Sequence, residues 1–266
     1  MDVVFHTAAL PGVWGTYRAF YETNVRGTRN VIDACFAEGV TRLVYTSSPS
    51  ITFAGHDQEG TDESDPYSER FLAHYPRTKA AAERLVLAAN CESLATVALR
   101  PHLIWGPDDT QLVPRVIERA RKGRLRLVGD GSKLVDATYI DNAAMAHLLA
   151  ADRLSSGAAC AGKAYYISNG EPWPMARIIN GILAAAGLPP VTRSVSPAAA
   201  YALGAVLEAA YAAFRLSGEP LMTRFVTRQL ATAHWYDISA ARRDLGYKPS
   251  VTMDEAMRRL GESLRR

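Results

Sequence analysis

The chain has 266 residues, 48% of them apolar, with a formal net charge of +3 and three cysteines. Such a length and apolar content can bury a sizeable core, as one large domain or a domain with a lobe. The small charge and the lack of a basic run with interleaved aromatics argue against nucleic acid as a partner, and Cys35, Cys91 and Cys160, odd in number and far apart, suit reduced cytosolic thiols better than a disulfide framework.

In place of the basic start and long apolar run of a signal peptide, residues 2–6 (Asp-Val-Val-Phe-His) read as a strand, followed at once by Thr7-Ala8-Ala9-Leu10-Pro11-Gly12. The pattern then predicts a helix over 16–38, a strand over 42–47, a helix over 75–89 and a strand over 95–99. Strands spaced by helices of this length predict right-handed βαβ units and a parallel sheet covered on both faces. In the first helix Val25, Thr28, Val31 and Ile32 form one stripe. Asn24 reads either as an exposed polar side chain or as an amide that holds a water or fixes helix geometry near a site. Ligands of open α/β sheets sit beyond the carboxyl ends of the strands, which makes Ser48, just past the second strand, a candidate; its other reading is that Ser48-Pro49 only opens a turn. The run 57–65 (Asp-Gln-Glu-Gly-Thr-Asp-Glu-Ser-Asp) reads as a solvated acidic loop.

Tyr75-Pro76-Arg77-Thr78-Lys79 opens the helix over 75–89, and Pro76 fits its first turn. Tyr75 and Lys79 are four residues apart and so share one helix face. A free phenol titrates near pH ~10, and an adjacent ammonium favours the phenolate, bringing proton transfer within reach at neutral pH.

In the second half, 111–122 reads as an amphipathic helix, 125–128 as a strand, 140–154 as a helix and 164–168 as a strand. A helix from near Met175 stops at Gly187-Leu188-Pro189-Pro190. Residues 198–216 are strongly apolar, with Glu208 and Arg215 as their charges, yet too interrupted for a membrane span. They read as a helix packed on a lobe, or as an interfacial patch at a membrane surface. Residues 258–266 read as a basic, solvated helix end. No zinc-ligand spacing is present, and the six histidines are scattered, read as ordinary polar or core residues except for His102.

Taken together, His6-Thr7-Ala8-Ala9, Asn24-Val25-x-Gly27-Thr28, Tyr45-Thr46-Ser47-Ser48, Tyr75-x-x-x-Lys79 and the run from Arg100-Pro101-His102-Leu103 to Gly106-Pro107 stand in the order of extended short-chain dehydrogenases/reductases. Within that superfamily the whole chain most resembles the 3β-hydroxysteroid dehydrogenase group, which includes sterol-4α-carboxylate 3-dehydrogenases and 2-alkyl-3-oxoalkanoate reductases. The resemblance implies an α/β fold: a Rossmann-like doubly wound parallel sheet with a smaller, mostly helical C-terminal substrate lobe. It divides the chain into a dinucleotide-binding core over 1–108 and a substrate lobe over 109–266, interleaved with a remaining core strand and helix at about 136–168.

The resemblance further implies a cytoplasmic oxidoreductase using NAD or NADP to interconvert a secondary alcohol and a ketone on a sterol-like or long-chain keto acid. Tyr75 would be the general acid and base. Lys79 would lower the Tyr75 pKa and bind the nicotinamide ribose, Ser48 would polarise the substrate oxygen with Ser47 as the competing choice, and Asn24 would support the set. Thr7, Ala8 and Ala9 would line the adenosine side. Pro101, His102 and Leu103 would lie near the nicotinamide, unless His102 is a core histidine. The helices over 16–38 and 75–89 would form a homodimer surface. One departure stands out: the family's opening strand, glycine-rich G-x-x-G-x-x-G turn and second βαβ unit are absent, with the pyrophosphate cradle they provide. The expectation is therefore a truncated form with very weak dinucleotide binding or none, whose strand 2–6 stands at a bare sheet edge. The rival functions are a nucleotide-sugar epimerase or dehydratase, and a non-catalytic short form acting through protein contacts.

Overall fold

The structure is a computed structural model and describes residues 2–265. Its first half alternates strand and helix as the pattern predicts. Strand β1 (Val4–His6) leads to α1 (Tyr17–Phe20), which passes through a π-helical turn (Tyr21–Arg26) into α2 (Gly27–Ala37). Then come β2 (Arg42–Thr46), a 3-10 turn (Pro49–Ile51), β3 (Gln58–Thr61), α3 (His74–Ala88) and β4 (Ala95–Pro101). Thr16 caps α1 by accepting from the Ala19 N–H, satisfying one of the donors a helix start leaves free. Pro76 is the third residue of α3, where its missing N–H costs little.

The second half continues with β5 (Ile104–Trp105), α4 (Leu112–Arg121), β6 (Leu127–Val128), β7 (Leu134–Val135), β8 (Thr138–Tyr139) and α5 (Ile140–Arg153). It ends with β9 (Lys163–Ile167), β10 (Trp173–Pro174), α6 (Met175–Ala185), β11 (Ser194–Val195), α7 (Pro197–Ala213), α8 (Arg224–Ala231), β12 (His234–Tyr236), α9 (Ser239–Leu245) and α10 (Met253–Leu264). The last residue of the basic end expected over 258–266 lies outside the described residues.

The main sheet has the order β1-β2-β4-β9, all parallel, with Val44 opposite Val97 and Leu99 opposite Tyr165. Alternation along the strands coats both faces, since successive side chains point to opposite sides. Leu43, Tyr45 and Ala98 pack with Ile32 of α2 and Val86 of α3, whereas Val44, Val97 and Leu99 pack with Ala146 and Ala150 of α5 and Leu245 of α9. A separate apolar cluster, including Trp105, Ile178, Ile182, Met253 and Leu260, holds the C-terminal lobe. Among the described strands β1 pairs only with β2, so it forms an edge of this sheet, with Phe5 exposed on it.

The acidic run over 57–65 is not a solvated loop. Its centre is β3, which pairs in parallel with β12 in a second sheet of order β10-β7-β12-β3. Its acids are used as acceptors: Asp57 accepts from the Ala233 N–H, and Glu63 accepts at 2.8 Å from the Tyr166 N–H on the free side of β9. Backbone donors at strand edges need partners, and short carboxylate side chains supply them here. The π-helical turn also went beyond expectation, which was an uninterrupted helix. It closes where the Gly27 N–H bonds the Glu22 carbonyl, five residues back.

Helix α7 is packed along one line only. Ala200 and Gly204 are buried, while Leu203, Val206 and, just beyond the helix, Phe214 are exposed. A Cβ on Gly204 would stand 2.8 Å from the Thr223 carbonyl carbon and 2.9 Å from the Arg224 nitrogen, both backbone atoms that cannot swing aside. Gly204→Ala is therefore expected to destabilise the protein by about 1–3 kcal/mol, against the slight gain alanine brings in a helix interior. Thermal unfolding checks this, at roughly 2–4 °C of Tm per kcal/mol in a chain of this size; an unchanged Tm would show that α7 and α8 separate freely.

Candidate active site

Because β1, β2 and β4 are parallel, their carboxyl ends open on one side of the sheet, and the chain segments leaving them form the rim of a single site. From β1 come Thr7 and Ala8, both exposed, and Ala9, half-buried; from β2 come Ser47 and Ser48; from β4 come Pro101, His102 and Leu103. Helix α3 packs against β4 and α2 and brings Tyr75 and Lys79 to the same end.

Tyr75 is half-buried, and the Ser48 hydroxyl is close enough to its phenol to favour the phenolate. Ser48, rather than Ser47, thus meets the tyrosine. The Ser48 side chain also caps the 3-10 turn by accepting from the Ser50 N–H, and its Oγ lies 2.9 Å from the Ser50 Oγ. The turn-opening reading of Ser48-Pro49 holds, and the turn fixes the position of the hydroxyl. Ser47 is buried, with an Oγ that has no hydrogen-bond partner among the described residues.

Lys79 is 2% exposed; its Nζ donates to the Thr46 carbonyl at 2.6 Å and stands 4.2 Å from the centre of the Tyr45 ring. One of three ammonium donors is used there, which leaves the group able to hold the hydroxyls of a sugar. Burial raises the Tyr75 phenol pKa, and the neighbouring Ser48 hydroxyl counteracts it. The Lys79 ammonium is aimed at the Thr46 carbonyl and the Tyr45 face. Its own pKa falls to about 7 through burial, opposed by the Glu83 carboxylate one helical turn on.

The depressed lysine has a consequence for stability. A lysine near 7 when folded and near its ordinary 10.5 when unfolded makes the unfolded chain bind more protons in between, so its contribution to stability rises with pH across that window. Below pH ~7 both states are charged and the full cost of burying the ammonium is present. Lys79→Met is therefore expected to be most favourable, relative to the unsubstituted protein, at about pH 6 and less so at about pH 9. Denaturant unfolding of both proteins at the two pH values checks this, and a difference independent of pH would show that Lys79 titrates normally.

Asn24 sits in the π-helical turn and is 1% exposed, which removes its surface reading. Its Oδ1 accepts from the Leu10 N–H at 2.7 Å, and its Nδ2 donates to the Leu10 carbonyl and to the Thr78 Oγ1 at 3.1 Å. It therefore ties the loop after β1 to the residue before Lys79. Thr28 donates its one hydroxyl proton to the Asn24 carbonyl at 2.7 Å, so the His6 Nε2 lying 2.9 Å from Thr28 Oγ1 is the donor in that pair. His6 is held neutral, its pKa pushed down to about 4 by burial and by Lys79.

The three residues expected along the nicotinamide divide. Pro101 is buried in the sheet as the last residue of β4. His102 is the core histidine: its Nδ1 donates to the Asp136 carbonyl at 2.7 Å, and its ring packs edgewise on His234 and Tyr236. Leu103 adopts a left-handed φ of 46°, a conformation that costs a side-chain-bearing residue energy and that gathers at functional sites. Its carbonyl accepts from the Thr138 N–H, and the Thr138 hydroxyl donates to the His102 carbonyl, which together hold the turn.

Sequence reasoning passed over Glu83 and Arg100. Glu83 continues the face of Tyr75 and Lys79 at the same spacing; it is fully buried, receives the Arg100 guanidinium through Nε and Nη2 at 2.6–3.2 Å, and accepts from the Tyr67 hydroxyl at 2.8 Å. The signal was present in a lone acid on the Ala80-Ala81-Ala82 stretch and a lone arginine in an apolar strand. Two surface clefts, of about 550 and 330 Å³, lie in the C-terminal lobe and include none of these residues. The site is instead an open rim at the strand ends. Among the described residues no cluster of potential metal ligands occurs, and no helix is long and apolar enough to cross a membrane. The free donors of Lys79 suit the ribose hydroxyls of a dinucleotide, and the small side chains after β1 leave room for close approach on its adenosine side. No glycine-rich turn of the expected spacing stands among the described residues to take its pyrophosphate.

Residues 1–194 match the 3-beta hydroxysteroid dehydrogenase/isomerase family. Among similar proteins, the 2-alkyl-3-oxoalkanoate reductase of Stenotrophomonas maltophilia is 58% identical over 265 residues, covering 99% of this chain and 80% of the relative. The decarboxylating human sterol-4-alpha-carboxylate 3-dehydrogenase is 37% identical over 272 residues, covering 100% of this chain and 72% of the relative. The solved structure of MoeE5 in complex with UDP-glucuronic acid and NAD superposes with a TM-score of 0.72 at 25% identity, covering 100% of this chain and 79% of that one.

Proposed function

Because the chain belongs to the 3-beta hydroxysteroid dehydrogenase/isomerase family, with an extended short-chain dehydrogenase/reductase fold, we propose that it is a nicotinamide-dependent oxidoreductase acting on a secondary alcohol or ketone placed β to a carboxylate. The names of two relatives support this substrate pattern. A 2-alkyl-3-oxoalkanoate and a sterol with a 4α-carboxylate that reacts at carbon 3 both have one carbon between the reacting centre and the acid group. The carrier is accordingly a sterol-like or long-chain acid.

The observation that carries the reading is the meeting of the Tyr75 phenol with the Ser48 hydroxyl at the carboxyl ends of a parallel sheet, with the Lys79 ammonium one helical turn away. In reduction the Tyr75 hydroxyl gives its proton to the carbonyl oxygen, and in oxidation the phenolate takes it back. Ser48 polarises the same oxygen. Lys79 binds the ribose hydroxyls, Asn24 holds the loop after β1 against α3, Thr7, Ala8 and Ala9 line the adenosine side, and Leu103 with the Pro101–His102 backbone faces the nicotinamide. When bound, the nicotinamide supplies or accepts the hydride. Exposed Tyr21 and Phe36 on the first helical segments support pairing with a second copy across these helices and α3.

The test is substrate choice. With oxidised nicotinamide cofactor raised until the rate no longer increases, a 2-alkyl-3-hydroxy acid is expected to yield the ketone and reduced cofactor. Conversion of UDP-glucuronic acid without net reduced cofactor, with no turnover of the hydroxy acid, would overturn the reading in favour of a sugar epimerase.

A further inference from the structure

Helix α8 brings the stem of an arginine to the segments that follow Ser48 and precede Tyr75. Phe225 packs edge-on against Phe53, five residues beyond Ser48, at 6.1 Å between ring centres. One turn along, the Arg228 stem and Leu72 both lie against Gly55. A Cβ on Gly55 would lie 3.6 Å from Leu72 Cδ1 and 3.9 Å from the Arg228 Cδ. Gly55 continues the turn that Ser48 caps, and Leu72 precedes Tyr75 by three residues. Gly55, at φ +89°, has a backbone conformation that side-chain-bearing residues rarely adopt, and a side chain there would be in contact with both Leu72 and the Arg228 stem.

The guanidinium itself is poised and unmatched. Its central carbon stands 4.9 Å from the centre of the Tyr201 ring of α7, which braces the plane of the fork. Among the described residues no carboxylate pairs with it, whereas neighbouring Arg224 is held by Glu208 and Arg115 by Glu219. A braced, exposed arginine without an acidic partner is suited to two-pronged recognition of a carboxylate from outside the chain.

We infer that Arg228 receives the carboxylate of the substrate, which makes it the residue that selects β-hydroxy and β-oxo acids over neutral alcohols and ketones. This rests on the substrate class given under Proposed function. No bond is made or broken at Arg228; it fixes which end of the substrate faces Tyr75.

Binding separates the two readings. A 2-alkyl-3-hydroxy acid and its methyl ester are titrated calorimetrically into the full chain and into Arg228→Met and Arg228→Lys. The unsubstituted protein is expected to prefer the acid, and R228M to lose about 10- to 100-fold in acid affinity with little change for the ester, as befits a lost charge-assisted pair. R228K is expected to fall between them, since it keeps the charge and loses the planar fork. Acid affinity unchanged in R228M would overturn the role of Arg228 alone. Failure of the unsubstituted protein to bind either compound would overturn the substrate class and the inference together. Arg228 is exposed, so the variants are expected to unfold at the Tm of the unsubstituted protein; a lowered Tm with acid preference intact would mark Arg228 as only a clamp between α8 and Tyr201.

Discussion

Replacing Tyr75 by phenylalanine is expected to lower turnover by about 10²- to 10⁴-fold, the usual contribution of one positioned proton donor. The change removes a single oxygen. Phenylalanine keeps the ring that packs at the start of α3, Ser48 keeps its cap on the 3-10 turn, and Lys79 keeps its bond to the Thr46 carbonyl. Cofactor affinity and Tm should therefore remain near those of the unsubstituted protein, while the rate collapses. Ser48 is a hydroxyl left beside the vacated position, but it is engaged with Ser50 and is a far weaker acid than a phenol, so it is a poor substitute. The pairing of initial rates with a fluorescence titration of reduced cofactor distinguishes loss of the donor from loss of the site. A near-normal rate in Tyr75→Phe would remove Tyr75 from the chemistry.

The second large effect is on stability. Glu83→Ala is expected to cost about 3–5 kcal/mol, because it strands the Arg100 guanidinium without its counter-ion in the interior. Side-chain exposures of 5% for Arg100 and 0% for Glu83 leave water little access to compensate. Among the described residues Arg100 Nη1 has no hydrogen-bond partner, and the guanidinium carbon faces the rings of Tyr67 and Tyr166, at 5.7 and 5.1 Å from their centres. Removing both charges by Glu83→Met with Arg100→Met is expected to recover most of the loss, since well-packed apolar pairs replace buried ion pairs at little cost. Urea unfolding of the single and double variants checks both statements. The single change should also push Lys79 below its depressed value, as Glu83 is the influence that opposes burial there.

The parallel sheet and the Tyr75–Lys79 face were legible because they depend on local periodicity. Short, near-continuous apolar runs at 42–46 and 95–99 mark strands buried on both faces, and four-residue spacing on α3 marks a shared wall. What escaped depends on contacts distant in sequence. The strand at 58–61 exists because β12, some 175 residues later, lies beside it, and no pattern in Asp-Gln-Glu-Gly-Thr announces that partner. The π-helical turn at Asn24 arises from one shifted backbone bond and leaves no compositional mark. His102 is assigned to the core by Asp136, His234 and Tyr236, which converge only in the folded chain. Lys79 illustrates the same limit at the site itself, where spacing put the ammonium on the right face while the Thr46 carbonyl and the Tyr45 ring decided where it points.

The most direct measurement follows an isotope. When a 2-alkyl-3-oxo acid is reduced with cofactor deuterated at the transferable position of the nicotinamide, mass spectrometry of the hydroxy acid should find the deuterium on carbon 3, and this labelled product should form correspondingly more slowly in Tyr75→Phe. Product lacking deuterium on carbon 3, or formed equally fast without the phenol, would contradict hydride transfer coupled to proton donation by Tyr75.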